Sequence, residues 1–239
     1  MEGFNLYKDY FGLIVDDEEG TKIFGFENVS QRRSNLLRIA NDGGYFGYVN
    51  EGVIRIVEDG EQYDVKEGHF FSTKNGLNAL PISLRYRLVV WQKKNHEGQF
   101  TIGKWEPEGR LNYIDGCRDS VLINPIQKGM PCLNALYMPD GVNQTMHIHP
   151  STRSGFIIKG GAKCETPKGT YDLEAGQIFY LQTDTEHKFR SDHKKDIIMK
   201  LIAYHPDSDF GPSNEEHPMV NRTIVDGVSA KDIDEIRTK

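Results

Sequence analysis

The chain has 239 residues, enough for one large domain or two small ones, and it can bury a core without covalent staples. Its formal net charge is −6, and no basic block runs longer than Lys93-Lys94 or Lys194-Lys195, which argues against a nucleic-acid backbone as the main partner. The three cysteines (Cys117, Cys132, Cys164) form no C-x-x-C pair, the start of the chain lacks signal-peptide features, and no apolar run approaches the roughly 20 residues of a membrane span; a cytoplasmic chain with reduced thiols is expected.

In chain order, residues 1–98 are expected to form a first β-domain. Its short β-branched and aromatic runs are cut roughly every 8–12 residues by Gly, Pro, Asn or Asp, the pattern of an all-β sandwich or barrel. The clearest example is "GVIRIVEDGEQYDVKEGHFFSTKNG" (Gly52–Gly76). A Gly-rich connector follows over 99–119. Residues 120–206 repeat the first pattern: "SGFIIKGGAKCETPKGTYDLEAGQIFYLQ" (Ser154–Gln182) has the same apolar strand, Gly-containing hairpin, "DLEAG" for "DVKEG", and closing aromatic strand. An internal duplication accounts for the rhyme. Residues 207–239 begin as an extended loop dense in Pro, Ser, Asn and Asp. They close on "SAKDIDEIRTK", whose Ser-x-x-Asp start and basic end predict a short C-terminal helix. The expected fold class is therefore all-β, two barrels in one chain with that helix appended.

The chemistry concentrates in "TMHIHPSTRSG" (Thr145–Gly155). Residues i and i+2 of an extended strand face one side, so His147 and His149 present two imidazoles together, and a third ligand has to come from elsewhere. Gly141, five residues, His147-Ile-His149, three residues, Arg153, six residues and Gly160 keep every spacing of the first motif of the cupin family, which the chain resembles here. Gly176 and His187 fall on the family's second motif, with Gln182, Asp184 and Ser191 where Pro, Gly and Asn are usual.

The resemblance implies a jelly-roll barrel holding a metal through His147, His149 and His187. Arg153 stands where the family usually has a Glu ligand, and a guanidinium cannot ligate. A three-histidine site results, which resembles the cysteine, diketone and gentisate dioxygenase branches of the family. Fe(II) is the expected metal, with Zn, Mn and Ni as alternatives. The same motifs laid over the first domain fall on Ile39, Asn41, Tyr45 and Ala79, which cannot hold a metal as a set. The chain thus resembles a bicupin whose N-terminal barrel is metal-free and serves as a packing partner.

Three neutral imidazoles leave a divalent ion at about +2, and Arg153 raises the local charge to about +3. Such a site calls for a small anionic bidentate metabolite, a thiol, keto or hydroxy acid, with Arg153 forking onto its carboxylate. Tyr180 and His205 are further candidates for the barrel mouth, as is Gln182, whereas His193 and His217 read as surface residues and Cys164 as a buried thiol. The leading function is a non-haem Fe(II) dioxygenase using dioxygen. The rivals are a redox-neutral metal-dependent isomerase, lyase or decarboxylase and a non-enzymatic small-molecule-binding cupin. A monomer or symmetric homodimer is expected, with no nucleic-acid or membrane partner.

Overall fold

The structure is a computed structural model that describes residues 3–8, 10–28, 37–39, 42–191, 199–208 and 220–237; Asn41, His193 and His217 lie outside the described residues. The strands of the first half are β1 (Phe4–Tyr7), β2 (Phe11–Asp16), β3 (Thr21–Asn28), β4 (Leu37–Ile39), β5 (Tyr45–Glu51), β6 (Val53–Glu58), β7 (Glu61–Lys66), β8 (His69–Thr73), β9 (Leu77–Pro81), β10 (Tyr86–Lys93) and β11 (Thr101–Lys104). Those of the second half are β12 (Leu111–Asn112), β13 (Arg118–Ile123), β14 (Cys132–Met138), β15 (Arg153–Lys159), β16 (Gly161–Thr166), β17 (Gly169–Glu174), β18 (Ile178–Leu181), β19 (Lys188–Ser191) and β20 (Met199–His205). A last hairpin, β21 (Ile224–Val225) and β22 (Val228–Ser229), follows. Among the described residues no helix is long and apolar enough to cross a membrane.

Each half folds a large sheet against a small one. A six-stranded sheet (β11-β8-β5-β10-β3-β2) faces a four-stranded one (β4-β9-β6-β7) in the first, and a seven-stranded sheet (β1-β18-β15-β20-β14-β13-β12) faces a three-stranded one (β17-β16-β19) in the second. Alternation along the strands assigns side chains to three cores. In β10, Leu88 and Val90 enter the first barrel beside Ile54, Ile56 and Phe71, whereas Val89 and Trp91 point the other way. There they meet Phe156, Ile202 and Tyr204 of the second large sheet, whose Met199 and Leu201 turn back into their own barrel. Both large sheets are therefore covered on both faces, so their central strands read as near-continuous apolar runs rather than as alternating ones.

The duplication is visible in the hydrogen-bond register. Gly47 of β5 pairs with Phe71 of β8, and Gly155 of β15 pairs with Phe179 of β18. In both places the partner's ring lies over the glycine, so that an added Cβ would fall 2.3 Å from Phe71 Cζ and 2.6 Å from Phe179 Cε1. This register places Tyr45 of the first barrel at the position of Arg153 in the second.

Hydrogen bonds cross the divisions at residues 98 and 120: β1 pairs with β18 from Phe4↔Leu181 to Tyr7↔Ile178, joining the second large sheet, while β11, inside the connector, pairs with β8 of the first. One sequence expectation is corrected. The C-terminal helix does not form; Ala230–Asp232 and Asp234–Ile236 are separate 3-10 turns broken at Ile233 (φ −123, ψ 90). The Ser229 hydroxyl does accept from the Lys231 amide at 3.3 Å, so the capping signal operates locally. What is missing is a buried stripe: Ile236 is exposed, and a helix this short has little stability without a packed face.

Candidate metal centre and its cavity

His147 and His149 lie in an extended segment outside the named strands, tied to the stretch before β19 by an isolated antiparallel bridge at His147↔His187. The two backbones exchange both bonds, His147 N to His187 O and His187 N to His147 O, each 3.0 Å. This pairing puts His187 opposite His147, and the i, i+2 spacing brings His149 to the same side. Their ring centroids are 5.0 Å (147 to 149), 4.5 Å (147 to 187) and 5.2 Å (149 to 187) apart. One ligating nitrogen from each falls within 4.8 Å of the others.

The donor chemistry fits a metal. His147 Nδ1 lies 2.8 Å from the Thr145 carbonyl and His187 Nδ1 lies 2.9 Å from that of Thr185. A carbonyl only accepts, so both Nδ1 atoms carry the proton and both Nε2 atoms keep a bare lone pair. Burial, helped by the nearby Arg153 charge, pulls the His149 imidazole down to about 3, and burial pulls His187 down to about 4. Both are neutral at pH 7, the form a metal ligand needs.

The triad opens on a cavity of about 250 Å³ inside the second barrel, walled by Leu136, Phe179, Leu181, Phe189 and Leu201. Arg153, the first residue of β15, lines it and is largely buried. Its Nη1 donates to Thr152 O at 2.9 Å, to Ser151 O and Asp207 Oδ1 at 3.3 Å, and to the Ser151 hydroxyl, which itself donates to Asp207. Nε is buried with no partner. Glu165 is not a partner of Arg153 and pairs with Arg190 and Lys188.

His205 also lines the cavity, its imidazole pulled down to about 3 by burial and by Arg153. Tyr180 does not join this group. It sits one residue out of phase with Phe179 and Leu181 and so faces the core between the barrels, where its hydroxyl donates to Asp17 Oδ2 at 3.0 Å. Gln182 lies beyond β18, its backbone N–H donating to Gly3 O at 2.8 Å.

Three wall residues escaped sequence reasoning: Asp119 on β13, Asn134 on β14 and Tyr113 in the turn before β13. Asn134 Nδ2 donates to Asp119 Oδ2 at 3.3 Å, and burial raises the Asp119 carboxyl to about 6. Asp119 falls in the polar first half of "RDSVLI", between Arg118 and Ser120, so nothing in the sequence signals that it faces a cavity.

In the first barrel the corresponding interior is filled. Tyr45 and Ala79 are fully buried among Val49, Phe71 and Leu77, and the Tyr45 hydroxyl donates to Asp42 at 3.1 Å. Among the described residues the triad is the one cluster of potential metal ligands.

Residues 135–204 match the family model of the cupin domain, and that match contains the triad. The chain is similar to a cupin 2 conserved barrel domain protein from Leptotrichia buccalis at TM-score 0.61 and 12% identity, over 85% of this chain and 89% of that one. The chain has a cupin fold. Other cupin-like neighbours are enzymes. One is a variant of salicylate 1,2-dioxygenase from Pseudoaminobacter salicylatoxidans (TM-score 0.60, 10% identity, 78% and 69% covered). Another is Bacillus subtilis oxalate decarboxylase, described with Mn(II) centres (TM-score 0.51, 11% identity, 81% and 71% covered). No curated protein matches the chain by sequence.

Proposed function

We propose that this chain is a metal-dependent cupin enzyme in which His147, His149 and His187 hold Fe(II) and the cavity receives a small anionic metabolite that is oxidised with dioxygen. The observation that carries the reading is the convergence of three imidazoles and one buried guanidinium on a single cavity. Bound there, the metal supplies Lewis acidity and, as iron, redox access to dioxygen.

The chain's own residues do the rest. Carbonyls of Thr145 and Thr185 fix the orientation of His147 and His187. Asp207 and Ser151 hold Arg153 through Nη1, so the guanidinium is already oriented when an anion arrives, and its Nε edge is left to grip a carboxylate. The apolar walls exclude water and strengthen that pairing.

One observation favours a second reading, redox-neutral turnover by the same metal set. Asp119, with its carboxyl raised to about 6, is poised to take up or return a proton near neutral pH, the general base that such chemistry needs. Both readings take a small molecule as partner and a monomer or homodimer as the working unit.

The discriminating experiment loads the metal-free protein with Fe(II) anaerobically and follows oxygen uptake against small thiol, keto and hydroxy acids. Substrate-dependent uptake is expected. Turnover of such an acid with Mn or Zn and no oxygen uptake would select the redox-neutral reading instead.

A further inference from the structure

The wall of the cavity away from the histidines carries an unmet hydrogen-bonding demand. Asp119 Oδ1, Asn134 Oδ1 and Arg153 Nε are each shielded from bulk water and have no partner. Leaving a buried polar atom unpaired costs roughly 1–3 kcal/mol, more for a charged group, so these three, with Ser154 Oγ as a fourth on residues lining the same cavity, call for an explanation.

The topology sets them on one sheet. Arg153 begins β15; β20 lies next to it, then β14 with Asn134, then β13 with Asp119. Both the Cys132 thiol on β14 and the Tyr113 phenol feel the charges of Arg153 and Asp119 together. Three strand spacings amount to roughly 14 Å across the sheet; along the strands Asn134 is level with Gly155, two residues on from Arg153, and Asp119 with Ile157, four residues on, so the long arginine covers part of a diagonal and leaves the rest to a small molecule. Arg153 finds its carboxylate in Asp207, not in Asp119.

The unmet groups also differ in kind. Asn134 Nδ2 is engaged with Asp119 Oδ2, so each side chain has one free acceptor. One hydroxyl carries a single proton and satisfies one of them. A primary ammonium carries three N–H bonds, satisfies both, and neutralises the buried carboxylate.

We infer that the Asp119–Asn134 pair is a recognition site for an amino group, and that the cavity's ligand is a small amino acid whose carboxylate is held at Arg153 Nε. This assignment rests on the reading of the cavity as a carboxylate site and narrows its substrate class. Asp119 and Asn134 act here by binding, and no bond to the ligand is made or broken.

The test uses the full chain loaded with Zn, which supports no redox turnover, and reads affinity by titration NMR or calorimetry. The probes are glycine, β-alanine and 4-aminobutyrate, each paired with the parent acid that lacks nitrogen: acetate, propionate and butyrate. At least one amino acid is expected to bind roughly tenfold or more tightly than its parent, the size of a charge-assisted pair. In Asp119→Leu that preference collapses to within about twofold while the parent acid binds as before. Any chelation of zinc by the amino group persists in the variant and cancels from the comparison. Asp119→Asn removes the charge at constant volume and covers a folding failure of the leucine variant; it too loses most of the preference. A wild-type chain with no amino preference, or a preference surviving in both variants, overturns the inference while leaving the carboxylate site standing. Failure of every probe to bind overturns both.

Discussion

Arg153 is bonded to Asp207 at 3.3 Å through Nη1, while Nε on the other side of the same guanidinium has no partner. One end of the group is thus anchored and the other is buried without a partner, on a residue that lines the cavity. Arg153→Lys keeps a charge but has no second donor edge, so carboxylate affinity in metal-loaded protein is expected to fall by about 1.5–3 kcal/mol, roughly 10- to 150-fold, with metal content unchanged. Titration of a small carboxylate into both proteins reads the difference.

Arg153→Glu goes further. It places a carboxylate beside three histidines, which lowers the local charge by two units, tightens metal binding and abolishes anion affinity. Competition with a chelator measures the first effect and carboxylate titration the second.

Asp119 makes stability pH-dependent. Its folded-state value of about 6 lies above the ordinary 3.8, so between about pH 4 and 6 the folded chain retains a proton that the unfolded chain has released. Its stability contribution is fully present below that window and is lost as pH rises through it, on the order of 2 to 3 kcal/mol in all. The neighbouring Tyr113, Cys117, Cys132 and Tyr137 are raised by burial and stay neutral throughout. Asp119→Asn is expected to flatten the fall and to be more stable than wild type at pH 7. Denaturant midpoints at pH 4.5 and 7 for both chains check this.

Phe4 ties the start of the chain to the metal barrel. It is buried, its ring centre lies 4.8 Å from that of Tyr171, and its backbone pairs with Leu181. Phe4→Ala is expected to cost about 3–5 kcal/mol, read as a lowered thermal midpoint.

How much of this was legible in the sequence depended on distance along the chain. The rhyme between "DVKEG" and "DLEAG" marked the duplicated barrels, and two short motifs, His147-Ile-His149 after Gly141 and His187 after Gly176, marked the triad, because each motif is local in the chain. The remaining wall of the cavity did not show. Asp119 and Asn134 precede the histidines on other strands and meet them only through the sheet order β13-β14-β20-β15. Tyr180 was misplaced for a different reason: in "IFYL" every residue is apolar or aromatic and every residue is buried, so composition could not say which parity faced the cavity. The C-terminal segment had a real cap in Ser229 but no apolar face for a helix to bury.

Metal content of anaerobically purified protein tests the central claim most directly, with wild type compared against the His147→Ala, His149→Ala, His187→Ala triple variant. One equivalent of a divalent transition metal per wild-type chain is predicted, and none in the triple variant, with the β-sheet circular dichroism of the two alike. Stoichiometric metal persisting in a folded triple variant would contradict the three-histidine centre.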